Sequence, residues 1–210
     1  STATTWKDLN GSNDGTINGA VWKDGYLQLD GVDDWVNLGQ MSFPNSKVMV
    51  DTTISLNTIQ EGERTILGNL DVGGIALYLY DGTPRFAVYI TEENQYVRAV
   101  CEEPLTAGKK VRLTGIYDGK NVMLYIDGVL AAKTATSGSI KDPLYDTVMS
   151  IGCNPKGDVP DPVGAFVNMN VYDVKIYNNI WDVSAAQDGS ILAWNETNNS
   201  NGAQKVYIAS

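Results

Sequence analysis

The sequence predicts an all-β protein that folds as a sandwich of two antiparallel sheets, and three observations support this. Apolar and polar residues alternate with a period of two in many short segments, which is typical of strands with one buried face. Asp-Gly pairs separate several of these segments, and glycine accepts the positive φ of a tight hairpin turn. No stretch of about ten residues carries a helical apolar stripe.

The strand segments follow one another along most of the chain. In chain order they are residues 21–22, 26–29, 35–38, 48–56, 64–69, 75–80, 85–90, 96–100, 110–117, 121–126, 129–134, 148–151 and 166–177. Hairpin turns between them are supplied by Asp24-Gly25, Asp81-Gly82, Asp118-Gly119 and Asp127-Gly128. Short strands this numerous, at a spacing of roughly 8–12 residues, indicate a sandwich or barrel and argue against an α/β fold.

A change in composition divides the chain after residue 179. Residues 1–179 contain the strand segments above, and a chain of 210 residues that is 43% hydrophobic is large enough for one β-domain with a full core. Residues 195–202 read NETNNSNG, a polar loop between alternating segments at 190–194 and 205–208. The tail, 180–210, is therefore predicted to form an extra β-hairpin. Because a lone hairpin is marginal in water, it either packs on the main domain or begins a following module.

Composition excludes several classes of function. The chain has no histidine, which removes Ser-His-Asp and Cys-His catalysis and His-ligated zinc. Fifteen Lys and Arg against 25 Asp and Glu give a net charge of −10, which repels nucleic acid and anionic membranes. No apolar run reaches the about 18 residues of a membrane-spanning helix, so we expect no membrane insertion.

Cys101 and Cys153 either form one disulfide or are both reduced and buried.

Several stretches carry a resemblance to a known family. Residues 6–11 read WKDLNG, residues 27–39 LQLDGVDDWVNLG, residues 113–119 LTGIYDG, residues 124–128 LYIDG and residues 171–178 VYDVKIYN. In this order they resemble the laminin G-like, concanavalin A-like jelly-roll modules of bacterial surface and phage proteins. The resemblance covers about residues 6–180 and implies a jelly-roll sandwich of two antiparallel sheets. The chain departs from the family pattern at residues 166–169, which read FVNM, and it lacks the family's helix-like ending.

The tail carries a second resemblance. Residues 181–208 are similar to the lead-in to leucine-rich-repeat domains of bacterial surface proteins. This resemblance implies that the chain is a piece of a larger cell-surface or phage-tail polypeptide. It also implies an extracellular or surface location, with other domains of the same polypeptide among the partners.

Three aspartates, Asp30, Asp33 and Asp34, lie within five residues of one another. Ca²⁺ takes about 6–8 oxygen ligands, and these carboxylates can supply part of that shell. Members of the resembled superfamily often hold calcium at a sandwich edge. The alternative is a tight turn in which the side chains accept hydrogen bonds from backbone N–H groups, and the sequence leaves both open. A second acidic loop at 157–162, GDVPDP, is interpreted as a turn.

A candidate ligand face follows from the alternation in segments 75–80 and 85–90. Residues 75, 77, 79, 86, 88 and 90 are apolar and are predicted to face the core, which leaves tyrosine and arginine on the opposite face. Segment 96–100 extends this face, and the loop 81–84 is predicted to place Tyr80 across from Arg85. We name the predicted ligand-binding residues the tyrosine–arginine face: Tyr78, Tyr80, Arg85, Tyr89 and Arg98. Aromatic rings stack on the C–H faces of sugars, which favours a glycan ligand. The alternative is that these side chains are ordinary cross-strand neighbours on an exposed sheet.

The sequence predicts binding in preference to catalysis. Glycosidic bond cleavage needs two carboxylates in a cleft, and glucanases of the resembled superfamily usually carry them in a Glu-x-Asp-x-Glu cluster. This chain has no such cluster, so we expect no enzyme activity. The expected function is a non-catalytic recognition module for a glycan or another cell-surface ligand. The alternatives are a structural spacer or protein-interaction domain and, third, a glycoside hydrolase.

Overall fold

The computed structural model describes residues 4–9, 14–44, 46–145, 147–155, 164–177, 184–185, 192–193 and 203–208. These residues form strands and turns, and among them there is no helix long and apolar enough to span a bilayer. The strands are β1 (Thr5–Trp6), β2 (Gly15–Asn18), β3 (Val21–Lys23), β4 (Tyr26–Asp30), β5 (Trp35–Gln40), β6 (Val48–Leu56), β7 (Glu63–Gly68), β8 (Ile75–Tyr80), β9 (Thr83–Ile90), β10 (Gln95–Val100), β11 (Lys110–Tyr117), β12 (Asn121–Ile126), β13 (Val129–Ala135), β14 (Val148–Ile151), β15 (Asn168–Tyr177), β16 (Ser184–Ala185), β17 (Leu192–Ala193) and β18 (Ala203–Ile208).

Two antiparallel sheets make up the sandwich and confirm the predicted jelly-roll fold. Sheet A has the strand order β1-β2-β5-β14-β7-β8-β9-β10. Sheet B has the order β13-β12-β11-β6-β15-β4-β3. The segments expected from alternation coincide with β3 to β15, and their ends differ by no more than two residues.

The tail contributes strands in two places. Leu192–Ala193 pairs with Ser184–Ala185 as a short two-stranded element, whereas β18 adds to β15 in sheet B. The two segments predicted to form the tail hairpin therefore pair with other strands, the first with β16 and the second with β15. The polar loop 195–202 and the acidic loop 157–162 lie outside the described residues. The domain boundary after residue 179 stays a prediction.

The core is built from the inward-facing residues of both sheets. In β6 the apolar side chains of Val48, Val50 and Ile54 are fully buried. Phe86 of β9 crosses the sandwich to pack on Gly115 of β11, where a Cβ atom would lie only 2.4 Å from the Phe86 ring. A glycine is therefore needed at position 115 because the opposite sheet already fills the space of a side chain.

The two cysteines are both free and buried, so the disulfide alternative is wrong. Burial raises the pKa of the Cys101 thiol to about 11 and that of Cys153 to about 12. Because the reactive form of cysteine is the thiolate, both residues act as small apolar side chains at neutral pH.

Edge strands of the two sheets meet at one side of the sandwich. β10 ends the order of sheet A and β13 ends that of sheet B. The Thr134 hydroxyl of β13 donates a hydrogen bond of 2.7 Å to the backbone carbonyl of Arg98 in β10. This contact links two edges that would otherwise present unpaired backbone groups.

Candidate functional site

The tyrosine–arginine face lies on the outer surface of β8, β9 and β10, opposite the core. Tyr78 pairs with Arg85, and Arg98 pairs with Ala87. Since residues directly opposite each other share one face of an antiparallel sheet, the strand register brings all five predicted residues to the same surface.

One predicted pairing is wrong. Tyr80 lies opposite Thr83 and not opposite Arg85. The reason is the turn: Asp81 and Gly82 have φ values of 50° and 78°, which is the two-residue type I′ geometry, and Thr83 already belongs to β9. The shorter turn moves the register by two residues, which keeps every side chain on its predicted face.

Cationic side chains lie over tyrosine rings along this face. The Arg85 guanidinium carbon is 4.7 Å from the centroid of the Tyr80 ring. The Arg98 guanidinium carbon is 5.4 Å from the centroid of Tyr96, which also lies on this face. Lys141 places its Nζ atom 5.1 Å from the centroid of Tyr89. Each contact is a cation–π interaction, which holds the charged groups at fixed positions on the surface.

Exposure separates the five residues into two groups. Tyr78 and Tyr89 are only 4% and 5% exposed, so their rings cannot receive a sugar. Their hydroxyls are engaged as well: Tyr78 accepts a hydrogen bond of 3.0 Å from Arg98 Nε, and Tyr89 donates one of 2.9 Å to Asn94 Oδ1. Tyr80 is 45% exposed, Arg85 is half-buried and Arg98 is exposed. The surface available to a ligand is therefore Tyr80, Arg85 and Arg98, supported from beneath by the two buried tyrosines.

Two buried polar atoms on this face have no hydrogen-bond partner in the described part of the chain. They are Oγ1 of Thr65 and Nε of Arg85. Thr65 of β7 lies opposite Tyr78, which itself lies opposite Arg85, so the two atoms belong to one row across the sheet. Buried polar groups are almost always paired, and such atoms mark places where water or a ligand completes the bonding. Sequence reasoning missed Thr65, although alternation in the segment 64–69 was the signal that could have placed it there.

The Asp30–Asp34 loop has the hydrogen bonds of a tight turn. Asp30 Oδ1 accepts bonds from the backbone N–H groups of Val32 at 2.8 Å and Asp33 at 3.4 Å. Asp34 Oδ2 accepts a bond of 3.0 Å from the Asp30 N–H. These contacts fit the turn alternative.

The same three carboxylates also fit part of a calcium shell. One oxygen of each lies within 4.8 Å of the others. Burial raises the pKa of Asp34, and the charges of Asp30 and Asp33 raise it further against the lowering effect of the Asp30 N–H bond. A cation would relieve this repulsion. Three aspartates do not fill the about 6–8 positions around Ca²⁺, so calcium binding stays a prediction.

The raised pKa of Asp34 leads to a testable pH dependence. The folded protein binds a proton at Asp34 more tightly than the unfolded chain, whose aspartate titrates near the ordinary value of 3.8. Protonation of Asp34 therefore stabilises the folded protein. This stabilisation is complete below the ordinary pKa of 3.8 and is lost as the pH rises through the pKa of Asp34 in the folded protein. Asp34→Asn keeps an oxygen for the Asp30 N–H but carries no charge. In calcium-free buffer we expect it to be more stable than the native chain at about pH 7, and about equally stable at about pH 3.

Urea denaturation at both pH values measures this difference. Asp33→Asn is the matched control, because it removes the same charge from an exposed position of the same loop. At about pH 7 the gain in the free energy of unfolding should be larger for Asp34→Asn than for Asp33→Asn. An equal or smaller gain, or a gain that is the same at both pH values, would contradict the prediction.

A buried ion pair lies on the outer face of sheet B. Asp51 of β6 is 1% exposed, and its Oδ1 atom accepts hydrogen bonds from Arg112 Nε at 2.8 Å and from the Thr114 hydroxyl at 2.5 Å. Burial acts to lower the pKa of Arg112, but the hydrogen bond and charge of Asp51 raise it above its ordinary value. Sequence reasoning missed this pair. A carboxylate closed to solvent and held by two partners suits a structural role better than proton transfer to a substrate.

Comparisons with known proteins agree on the fold. A family model described as the concanavalin A-like lectin/glucanases superfamily matches residues 30–180. A search of curated proteins found no match. Trypanosoma rangeli sialidase in complex with sialic acid superposes with a TM-score of 0.63 at 16% identity, covering 87% of this chain and 30% of the sialidase.

Two toxin domains superpose with TM-scores close to that of the sialidase. The receptor-binding domain of botulinum neurotoxin C/D mosaic serotype gives a TM-score of 0.63 at 12% identity, covering 87% of this chain and 49% of that domain. The receptor-binding domain of botulinum neurotoxin D gives 0.59 at 14% identity, with coverages of 87% and 50%. The chain thus spans 30% to 50% of the length of these structures, and at such identities the likeness concerns the fold alone.

Proposed function

This chain belongs to the concanavalin A-like lectin/glucanases superfamily, and from that membership we propose that it is a non-catalytic glycan-binding module. The tyrosine–arginine face is the proposed binding surface. In this proposal the module forms part of a larger bacterial or phage surface polypeptide and acts outside the cell. The sugar-binding and receptor-binding neighbours support the general idea of ligand recognition and leave the ligand to be identified.

The observation that carries the proposal is the arrangement around Tyr80. An exposed ring lies beside the Arg85 guanidinium, whose Nε atom is buried without a hydrogen-bond partner among the described residues. Sugars are bound by a ring that stacks on their C–H face together with charged groups that bind their oxygens. Arg85 and Arg98 are both held in place by tyrosines, so little side-chain entropy remains to be lost on binding.

The charge of the surface favours a sugar that carries a carboxylate or sulfate. The chain as a whole has a net charge of −10, yet Arg85, Arg98 and Lys141 lie on this one face. Glu63 lies opposite Tyr80 at the edge of the surface, and Asp81 is occupied as the acceptor for the Gly62 N–H. Planar guanidinium groups bind carboxylate and sulfate oxygens in pairs, which supplies both affinity and orientation.

Two observations support a non-catalytic role. The chain has no histidine to move protons. The buried Asp51 carboxylate is occupied by Arg112 and Thr114, so it is not offered to a substrate.

Calcium at Asp30, Asp33 and Asp34 is the cofactor that accompanies this proposal, and it would order the loop beside β4.

A protein-interaction module is the second candidate, favoured by an apolar rim. Val72, Leu144 and Tyr145 are 47%, 36% and 61% exposed. Their loops are joined by a hydrogen bond of 2.8 Å from the Leu144 N–H to the Asp71 carbonyl. Exposed apolar side chains in adjacent loops are typical of protein interfaces.

A glycan array probed with the purified chain tests the proposed function. We expect reproducible binding to glycans that carry acidic groups, and at least about tenfold weaker binding by a Tyr80→Ala/Arg85→Ala variant, since stacking and charged hydrogen bonds are both lost. Tyr145→Ala/Lys133→Ala is the matched control, because it removes one exposed tyrosine and one cation elsewhere. The array is repeated with EDTA to measure the contribution of calcium.

Each outcome is informative. Binding that survives in the Tyr80→Ala/Arg85→Ala variant would place the site elsewhere on the molecule. Loss of binding in EDTA would support calcium at the Asp30–Asp34 loop. A blank array in both conditions, with the protein shown to be folded, would reject glycan binding and favour the protein-interaction candidate.

A further inference from the structure

The outer face of sheet B contains asparagines where strands rarely have them. Asn168 and Asn170 lie in β15, which pairs with β4 on one side and β6 on the other. Asparagine is depleted in strands because its side chain competes with the backbone for hydrogen bonds and packs poorly on a pleated surface. Residues placed against local preference in the middle of a sheet indicate a functional requirement.

These asparagines are joined into one hydrogen-bonded row. Asn57 Nδ2 donates to Asn168 Oδ1 at 2.8 Å, and Asn170 Nδ2 donates to Asn57 Oδ1 at 2.9 Å. Asn170 Nδ2 also lies 3.2 Å from Ser55 Oγ. The row fixes the orientation of each amide before any ligand arrives, which is the arrangement of a preorganised polar site.

Two tyrosines adjoin the row. The Tyr172 hydroxyl lies 3.3 Å from Ser55 Oγ, and the centroids of the Tyr26 and Tyr172 rings are 5.5 Å apart with a tilt of 52°. Lys110 Nζ lies 3.7 Å from the Tyr172 centroid and covers that ring. Both tyrosines are half-buried, and because Lys110 covers Tyr172, the Tyr26 ring next to it remains as the stacking surface at the end of the row.

We infer that this surface is a second glycan-binding site, which takes an uncharged sugar rich in hydroxyl groups. We name it the amide–tyrosine patch; it consists of Tyr26, Ser55, Asn57, Asn168, Asn170 and Tyr172. Amides donate and accept hydrogen bonds, as sugar hydroxyls do, and the tyrosine supplies the apolar contact. Asp30 lies opposite Asn168 in the strand register, so in calcium-free buffer one end of the patch is acidic and repels a carboxylate or sulfate.

The inference rests on the glycan-binding function proposed above and extends it to the opposite sheet. The two surfaces differ in chemistry: the tyrosine–arginine face is cationic, whereas the amide–tyrosine patch has amides, Lys110 at its edge and Asp30 at its end. They belong to different sheets, so a change in one leaves the residues of the other untouched.

The experiment is an array of neutral and acidic glycans probed with two variants of the whole chain. For Asn57→Ala/Asn170→Thr we expect at least about tenfold weaker binding to neutral glycans and unchanged binding to acidic ones. Its melting temperature is expected to be equal to or above the native value, because threonine favours strands more than asparagine does. Tyr80→Ala/Arg85→Ala is expected to give the reverse pattern.

The outcomes separate this inference from the proposed function. Native binding to acidic glycans alone would keep the proposed function and overturn the second site. Neutral-glycan binding that survives Asn57→Ala/Asn170→Thr would also overturn it, as would a marked fall in the melting temperature of that variant, which would assign the amide row to stability. A native chain that binds neither class would reject both proposals.

Discussion

Replacing Arg112 by alanine is expected to lower the free energy of unfolding by about 3 kcal/mol, at the lower end of the range for breaking a buried ion pair. Asp51 would keep its buried position without the Arg112 guanidinium, and the hydrogen bond from the Thr114 hydroxyl does not neutralise its charge. We expect the lower end of that range because 34% of the Arg112 side chain is exposed. Water that enters its place can therefore stabilise part of the Asp51 charge.

Urea denaturation of Arg112→Ala and its controls measures this effect. Lys110→Ala is the matched control, because it removes an exposed cation from the same face of β11. A variant in which both partners are apolar, Asp51→Leu/Arg112→Met, is expected to recover much of the loss, since no buried charge is left unpaired. An Arg112→Ala cost no greater than that of Lys110→Ala would show that the ion pair contributes nothing to stability.

Gly115→Ala is expected to destabilise the protein by a similar amount, about 3 kcal/mol, through overpacking. The new Cβ atom would lie 2.4 Å from Cδ2 of Phe86, and the Phe86 side chain is fully buried between the sheets. Neither partner can move without shifting a strand, so we expect a cost at the upper end of the usual range.

A double-mutant cycle tests the cause of that cost. Phe86→Leu alone leaves a cavity and is expected to destabilise by less than the about 3–5 kcal/mol typical of Phe→Ala. In the Gly115→Ala/Phe86→Leu double variant the added methyl group fills part of that cavity. The two effects should therefore fall short of additivity by at least about 1 kcal/mol. Additive costs would mean that the strain of Gly115→Ala lies elsewhere.

Alternation along the chain predicted the strands because the signal is local. Leu77 and Leu79 of β8 and Phe86 and Val88 of β9 face the core as expected, since a half-buried strand must repeat every two residues. The pairing of Tyr80 was wrong by two residues, because alternation fixes the face of a strand but not its register. Register depends on the turn, and here Asp81 adopts a positive φ that closes the hairpin in two residues.

For the candidate site, the sequence predicted which residues share one face of the sheet but not which of their side chains are exposed. The shared face of Tyr78 and Tyr89 followed from their positions, but their burial depends on side chains from other parts of the chain. Arg98 lies against the Tyr78 hydroxyl, and Lys141 lies over Tyr89. The pair of Asp51 and Arg112 joins residues 61 positions apart, and no local pattern marks such a contact.

The central pairing of sheet B determines when the domain can form during synthesis. β6 lies between β11 and β15, and the contact of Thr52 with Asp173 joins positions 121 residues apart. At about 5–20 residues per second a ribosome needs roughly 6–24 s to make that length of chain. Throughout this interval one side of the apolar β6 strand has no partner, and an unpaired strand edge is the surface that associates with other chains. A nascent chain must therefore include β15 before it is safe from aggregation, which makes the late part of the sequence decisive for a productive yield.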